Sequence, residues 1–561
     1  MTVVIQGDSI VITCAGAEFI RVRAVLHRAL GSKCRDGRDC FVVPAECADF
    51  VASQFPAAAA SESLSRCRAE LELHHRAVTE ANEELRSLRV ERVPSDWIEI
   101  LDVPQQYAVN ALVQPGLRGA CLFDEQGTGK TIMALAAFDI LVREQVVEQS
   151  IVVSPKSMLG GWQKDISRFT GERYSIGIVE GDTTKKRAVV DEAHDILIVN
   201  YEGVENVLIL LKAVAKQKRT LLIVDESYYA KNPAALRTKL LLQLRPTCSR
   251  CFVLCGTPAP RSPYDIISQV DLADNHFAFA TFAKSDSADE DRERVAEILR
   301  TRAVAIRRLK QEVLKDVPEK NFEIVRVQLQ GRQRYLYEKA RDEMIVELRK
   351  FDNTAFKKHL TSYFQMRTAL LEICAVPKMV DPQFAEQSAK LTALVELVER
   401  LVGEGRKVLI WTCYRLSVTE IVAALSRYSP LVIDGSETRS QVRSAVVEKF
   451  QADPNSFVLV ANPAAAGAGI TLHASHDAIY YSYTNQAAQY LQSLDRIHRR
   501  GQTSKVVNYY MMICEGTIEE DEVRRLRQRE LAQHDLLGDV VDWPESLDTA
   551  LAELGEGGRL S

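Results

Sequence analysis

Eight short runs of β-branched and other apolar residues recur along this chain, separated by amphipathic stretches with helical spacing. Four lie close together: IVVS at 151–154, DILIVN at 195–200, LLIVD at 221–225 and CFVLCG at 251–256. Four more follow a charged, mostly helical region: KVLIW at 407–411, LVID at 431–434, FVLVAN at 457–462 and AIYYS at 478–482. A strand that is apolar throughout needs cover on both faces, and in a chain that alternates strand with helix the cover is helical. The pattern predicts an α/β chain with two tandem doubly wound parallel-sheet lobes, each with its own core. At 561 residues the chain has length for more than these two lobes, since domains run to roughly 100–200 residues each.

The flanks read differently. Residues 1–60 form a small α+β accessory domain, with a hairpin from Val3–Ile5 and Ile10–Thr13 around Gly7-Asp8, and a strand entering a helix in FVVPAECADF. Residues 61–95 are a helical connector whose apolar stripe, Leu64, Cys67, Leu71, Val78, Ala81, Leu85 and Leu88, is interrupted by His74. A stripe of this kind packs on its own domain more often than it dimerises. The first lobe then spans 96–315, a helical inter-lobe region 316–385, the second lobe 386–535 and an acidic tail 536–561. RRLRQR at 524–529 follows Glu520 and Asp521 by about one helical turn, which predicts a salt-bridged helix face.

Composition narrows the function. Lys+Arg 71 against Asp+Glu 76 gives a net charge of -5, so nucleic acid would be held by a local groove and not a basic coat. No apolar run approaches the roughly 18 residues of a membrane span, and MTVVIQGDSIVIT lacks the basic start of a signal peptide. The twelve cysteines are scattered, which fits a reducing, intracellular compartment: the cytoplasm, or the nucleoid in a prokaryote. Cys248 and Cys251 form one CxxC without the second pair that a zinc ribbon requires.

The strongest local signal is FDEQGTGKTIMAL at 123–135. Gly127 and Gly129 let the backbone turn tightly so that successive N–H groups face a polyphosphate, and the helix that follows adds its positive end. Asp124, Glu125, Gln126, Gly127, Thr128, Gly129, Lys130 and Thr131 are therefore the candidate nucleotide-binding residues. Lys130 would reach the β and γ phosphates, and Thr131 would offer its hydroxyl to Mg²⁺. Asp124 stands where the usual phosphate-loop pattern has its first glycine. In LLIVDE, Asp225 is suited to hold Mg²⁺ through water and Glu226 to accept a proton from the attacking water. Phosphate cradle, metal ligand and base together imply hydrolysis of a nucleoside triphosphate. In QSLDRIHRRGQ at 492–502, Arg496 and Arg499 are three apart, which on a helix puts them on one face, as arginine fingers would be.

With these elements in order, the chain resembles the Swi/Snf-type ATPases, a branch of the superfamily-two helicase-like motors. The resemblance runs from about residue 100 to 525. VPQQYAVNAL is similar to the adenine-reading glutamine motif, with either Gln105 or Gln106 as the reader. VVSPKSMLGGWQKDISRF, VNYEGV, VDESYYAKNP, LCGTPAPRSPYDI, AIRRLKQEVLKDVPEK, MRTALLEICAVP, IDGSETRSQVRSAVVEKFQ and AAGAGITL resemble the rest of the family's series. GTPAPRSP and the RRLK segment are most like the small HepA-related, annealing-helicase-like branch.

The resemblance implies two RecA-like lobes, ATP and Mg²⁺ as cofactors, and ATP-driven translocation along double-stranded DNA. It further implies DNA-backbone contacts by Lys156, Ser157, Gly160, Trp162, Asn200, Tyr201 and Thr471, and a nucleotide contact by Gly469. Protein partners would come from a multi-subunit DNA-processing, repair or phage-defence system. Three residues depart from the family pattern: Tyr228 where a His follows DES, Ala468 where a glycine is usual, and Arg500 where an aliphatic residue is common. Tyr228 bears on coupling, because a phenol donates a hydrogen bond but does not charge near neutral pH. The competing readings are a nucleotide-gated clamp or scaffold subunit and an RNA-dependent helicase.

Overall fold

The computed structural model describes residues 1–532 apart from 7–8, 31–32, 57–60, 259–262, 315–316, 437–439, 467–469, 471, 485 and 500, together with 551, 552 and 554. These residues fall into two compact units, 1–313 and 314 onward.

The first unit is built on a seven-stranded, wholly parallel sheet. Its order is Ala305–Ile306, Gly119–Leu122, Arg250–Leu254, Thr220–Asp225, Gln149–Ser154, Ile196–Asn200 and Ile176–Val179. Alternate residues of each strand feed opposite cores, as a pleated ribbon must. Val152, Leu221 and Ile223 join the helices Val103–Leu112, Lys130–Arg143 and Leu159–Thr170 on one face. Ile151, Val153, Leu222 and Val224 join Tyr201–Gln217, Leu236–Leu244 and Tyr264–Asp274 on the other.

The accessory part of this unit is a four-stranded antiparallel sheet. The expected hairpin pairs Thr2–Gln6 with Ser9–Thr13, and its Gly7-Asp8 turn lies outside the described residues. The long helix Glu62–Arg86 joins two cores. Leu64 and Leu71 pack into the accessory core, while Ala77, Val78 and Ala81 pack into the lobe. His74, which breaks the apolar stripe, is buried between them. Its Nδ1 accepts the Arg118 N–H at 3.1 Å, its ring meets Phe277 edge-on at 4.7 Å, and burial pushes its pKa down to about 3. The stripe is therefore an intramolecular seam over most of its length; Leu88, its last member, lies past the helix and is exposed.

The second unit has a six-stranded parallel sheet in the order Glu319–Val327, Val506–Cys514, Asp477–Tyr480, Val408–Trp411, Val458–Ala461 and Leu431–Ile433. Residues 316–385, expected as a mostly helical inter-lobe region, contribute a nine-residue edge strand before the helices Gly331–Leu348 and Leu360–Ala375. Its sequence, EKNFEIVRV, carries charge because an edge strand is largely solvated. RRLRQR lies on the helix Glu519–Ala532. There Arg524 pairs Asp521 at 2.6 Å, Arg525 approaches Glu522 at 3.6 Å, and Arg527 pairs Glu530. The acidic tail lies outside the described residues except for 551, 552 and 554. No helix among the described residues is long and apolar enough to cross a membrane, and the cysteines are free thiols.

Candidate active site

The phosphate loop leaves the buried strand Gly119–Leu122 and enters the helix Lys130–Arg143. Gly129, at φ +90°, adopts a left-handed turn that only glycine takes without strain, and a Cβ there would run into the Gln105 amide. Lys130 Nζ donates to the carbonyls of Asp124 at 2.8 Å and Glu125 at 3.1 Å, so the ammonium is drawn back over the loop. Thr128 Oγ1 closes the turn on Glu125 O at 2.9 Å. Thr131 is partly exposed on the first turn of the helix.

Asp124 has a specific role. Its fully buried carboxylate is gripped by the Arg308 guanidinium, with Nε at 3.2 Å from both oxygens and Nη2 also bonded. Arg308 belongs to the RRLK segment, which runs behind the loop. Glu125 N donates to Arg308 O at 3.0 Å, Lys310 N donates to Glu125 Oε2 at 2.8 Å, and Arg307 Nη1 donates to the carbonyls of Phe123 and Gly256. An aspartate here anchors the loop from behind, a job the glycine of the usual pattern cannot do.

The two neighbouring glutamines separate cleanly. Gln105 Oε1 accepts the Asp102 N–H in a capping box, and its Nε2 donates to Thr128 O at 2.9 Å, so it braces the loop. Gln106 Nε2 donates to Ile98 O at 3.0 Å and Leu101 O at 2.8 Å; its Oε1 accepts nothing from the described residues.

The carboxylate pair ends the strand Thr220–Asp225. Asp225 Oδ2 accepts from Trp162 Nε1 at 2.8 Å and Ser154 Oγ at 3.4 Å, and Oδ1 from Glu226 N at 2.9 Å. Burial, with the Glu226 charge adding to it, raises the Asp225 pKa; the indole N–H and the Lys130 charge oppose the rise. Glu226 sits at φ +49°, in the left-handed region that non-glycine residues rarely adopt. Its Oε1 accepts from Gln126 Nε2 at 2.7 Å. Its Oε2 is buried with no partner among the described residues. Tyr201 Oη donates to the carbonyls of Asp225 at 2.7 Å and Glu226 at 3.3 Å, holding both residues by their backbone.

Two of the residues expected at the DNA, Trp162 and Tyr201, take part in these contacts. Trp162 and Tyr201 are only 1% and 2% exposed, and their polar atoms are committed to the carboxylate pair. Lys156 is exposed, and Ser157, Gly160 and Asn200 are partly so. Lys156 follows the strand Gln149–Ser154 and Asn200 ends Ile196–Asn200; Ser154 and Asn200 are register partners on adjacent parallel strands. Gly469 and Thr471, with the atypical Ala468 and Arg500, lie outside the described residues.

Two further features were invisible to motif reading. Ser227 Oγ donates to Gln269 Oε1 at 2.6 Å, and Gln269 Nε2 donates to Pro258 O at 2.6 Å, tying the DES segment to the GTP turn. In that turn, Thr257 Oγ1 is buried without a partner among the described residues. Tyr228 packs its ring on Tyr229 at 4.4 Å, and burial raises its phenol pKa well above the ordinary value, so it stays neutral.

Arg496 and Arg499 are in the second unit. The helix Ala487–Leu494 ends before them, so they lie on a turn and not on one helical face. They nevertheless converge, each donating Nη1 to Ile470 O, at 3.1 and 3.2 Å.

A family model, the SNF2-related domain, matches residues 90–379, more than half of the chain. The chain belongs to the SNF2-related family. The helicase conserved C-terminal domain matches residues 389–501 beyond it. Among curated SNF2-related relatives, an ATP-dependent helicase of Mycoplasma pneumoniae is 27% identical over 75% of this chain and 40% of its own. The DNA repair and recombination protein RAD54B of Gallus gallus is 26% identical over 76% of this chain and 52% of its own. This chain thus spans about two fifths to half the length of these relatives. A solved Sulfolobus solfataricus SWI2/SNF2 ATPase core in complex with dsDNA aligns at 22% identity and TM-score 0.35, over 82% of this chain and 97% of that one.

Proposed function

We propose that this chain is an ATP-driven double-stranded-DNA translocase or remodeller of the SNF2 type. The observation that carries the reading is the buried, unpartnered Oε2 of Glu226, beside a phosphate loop whose lysine and glycines are set for a polyphosphate. A buried carboxylate oxygen with no donor is costly unless something occupies that position during function, and the attacking water is the natural occupant.

In this reading ATP is the substrate. The loop N–H groups and Lys130 bind its phosphates, and Gln106 offers its free Oε1 to the adenine amino group while Gln105 holds the loop. Glu226 takes the proton of the attacking water. Thr131 and Asp225 are the residues suited to Mg²⁺, and the donors around Asp225 favour its charged form. When bound, the ion would neutralise charge on the β and γ phosphates. On the motif alone, Arg496 and Arg499 are assigned the finger role.

Lys156, Ser157, Gly160 and Asn200 are the proposed DNA-backbone contacts. They fit because ligands of open parallel sheets bind beyond the carboxyl ends of the strands, and phosphate tracking needs hydroxyls, amides and lysines instead of base readout. The RAD54B relative, a DNA repair and recombination protein, supports DNA over RNA as the track. Partner chains of a DNA-processing or defence system belong to the same proposal.

The test is steady-state ATP hydrolysis with no nucleic acid, single-stranded DNA, duplex DNA and duplex RNA, at two salt concentrations. Stimulation by duplex DNA that fades with salt is the expected result. Stimulation by duplex RNA alone would make the chain an RNA-dependent helicase. No stimulation by any of them would make it a nucleotide-gated clamp.

A further inference from the structure

Gln126 occupies a position in the phosphate loop where the backbone, not the side chain, is expected to matter. Its side chain nonetheless reaches out of the loop and donates Nε2 to Glu226 Oε1 at 2.7 Å. It passes directly over Gly256 of the GTP turn. A Cβ on that glycine would meet Gln126 Cγ at 2.6 Å and its Cδ and Nε2 at 3.0 Å. The glycine is therefore what lets the glutamine lie flat and reach the carboxylate. Tyr201 fixes the backbone carbonyls of Asp225 and Glu226, while among the described residues Gln126 holds Oε1 of the Glu226 carboxylate and Oε2 has no partner.

We infer that Gln126 is the positioning residue for the general base. Its amide pins one oxygen of Glu226 and rotates the other, the buried and unpartnered Oε2, into the place where it accepts the proton of the attacking water. Because Gln126 is itself part of the phosphate loop, the base is oriented by the same backbone that cradles the substrate. A loop that closes on phosphate therefore also sets the carboxylate. The inference rests on Glu226 acting as the base in ATP hydrolysis.

The experiment compares Gln126→Met, Gly256→Ala and Glu226→Gln in the full chain, with melting curves to verify that each is folded. Methionine keeps the length of glutamine but cannot donate. A lost hydrogen bond to a charged group corresponds to a fall in kcat of about 10- to 100-fold. The KM for ATP and the affinity for ADP should stay within about twofold, since uniform binding is untouched. Gly256→Ala should reproduce this kcat-selective loss by lifting Gln126 off its seat, and it serves as the independent variant if Gln126→Met does not fold. In the Glu226→Gln background, adding Gln126→Met should change single-turnover hydrolysis no further, because the carboxylate it orients is gone.

A wild-type kcat in Gln126→Met, with Glu226→Gln inactive, would overturn the positioning role and leave the base assignment standing. A change confined to KM would make Gln126 an ATP-binding residue and likewise overturn it. Wild-type turnover in Glu226→Gln would overturn the base assignment and this inference together.

Discussion

Trp162 donates its indole N–H to Asp225 Oδ2 at 2.8 Å, across 63 residues of sequence. This tryptophan is the main side-chain donor to the first carboxylate of the candidate site. Trp162→Phe removes that donor while keeping the ring. Turnover should fall by about tenfold, and the Mg²⁺ concentration for half-maximal turnover should rise. A Mg²⁺ titration of ATPase activity checks this. Weakened DNA binding with an unchanged Mg²⁺ dependence would contradict it.

Lys130→Ala and Glu226→Gln should separate binding from chemistry. Lys130→Ala takes away the ammonium proposed to bind the β and γ phosphates and should abolish hydrolysis together with much of the ATP affinity. Glu226→Gln should keep ATP binding and lower kcat by about 10²- to 10⁴-fold, the usual worth of a general base. Equilibrium binding of a fluorescent ATP analogue beside turnover distinguishes the two.

Arg308→Ala should act on stability as well as activity. It leaves the Asp124 carboxylate buried and unpaired, a change that typically costs about 3–5 kcal/mol. The urea midpoint should drop accordingly. The double variant Arg308→Ala with Asp124→Gly, which restores the usual loop glycine, should recover part of that loss but not the loop's rigidity.

Arg499→Ala should lower kcat far more than it raises KM, because a finger acts on charge that develops only in the transition state. A change in ATP affinity with normal kcat would remove Arg499 from that role.

Asp274 gives the fold a pH dependence separate from catalysis. Burial, with the Asp271 charge adding to it, pushes its carboxyl up from an ordinary 3.8 to about 7, against the pull of the Phe277 and Ala278 N–H groups. The folded state then holds this proton more tightly than the unfolded chain does. The resulting stabilisation is complete below about pH 4 and is lost as pH rises towards 7. Asp274→Asn should flatten the dependence of the urea midpoint on pH between 5 and 8. An unchanged slope would show that the carboxylate is already charged in the fold.

All eight apolar runs of the sequence correspond to strands of the two parallel sheets, because a run of β-branched and other large apolar residues buried on both faces stands out from its polar flanks. Five strands of those sheets escaped the same reading, each for a physical reason. Gly119–Leu122 is short and has no β-branched residue, Ile176–Val179 has alternating burial, Ala305–Ile306 is only two residues long, Glu319–Val327 is a charged edge, and Val506–Cys514 is rich in Tyr and Met. Within the candidate site, Lys130, Asp225 and Glu226 stand out in the sequence because each stands in a local motif. The Arg308–Asp124 grip, the Tyr201 and Trp162 bonds and the Gln126–Glu226 contact were not, since each joins residues distant in sequence. Spacing carries no record of such pairs. Gln126 left one trace, a long polar side chain in a loop that otherwise needs only its backbone.

The edge strand Glu319–Val327 pairs along its whole length with Val506–Cys514. During synthesis the first member emerges almost two hundred residues before its partner, whereas the described residues of the first unit have all emerged by residue 313. On a ribosome adding about 5–20 residues per second, that strand waits roughly 10–40 seconds with an open hydrogen-bonding edge. Its alternating charges, Glu319, Lys320, Glu323 and Arg326, are well suited to keeping it soluble and solitary until its partner arrives.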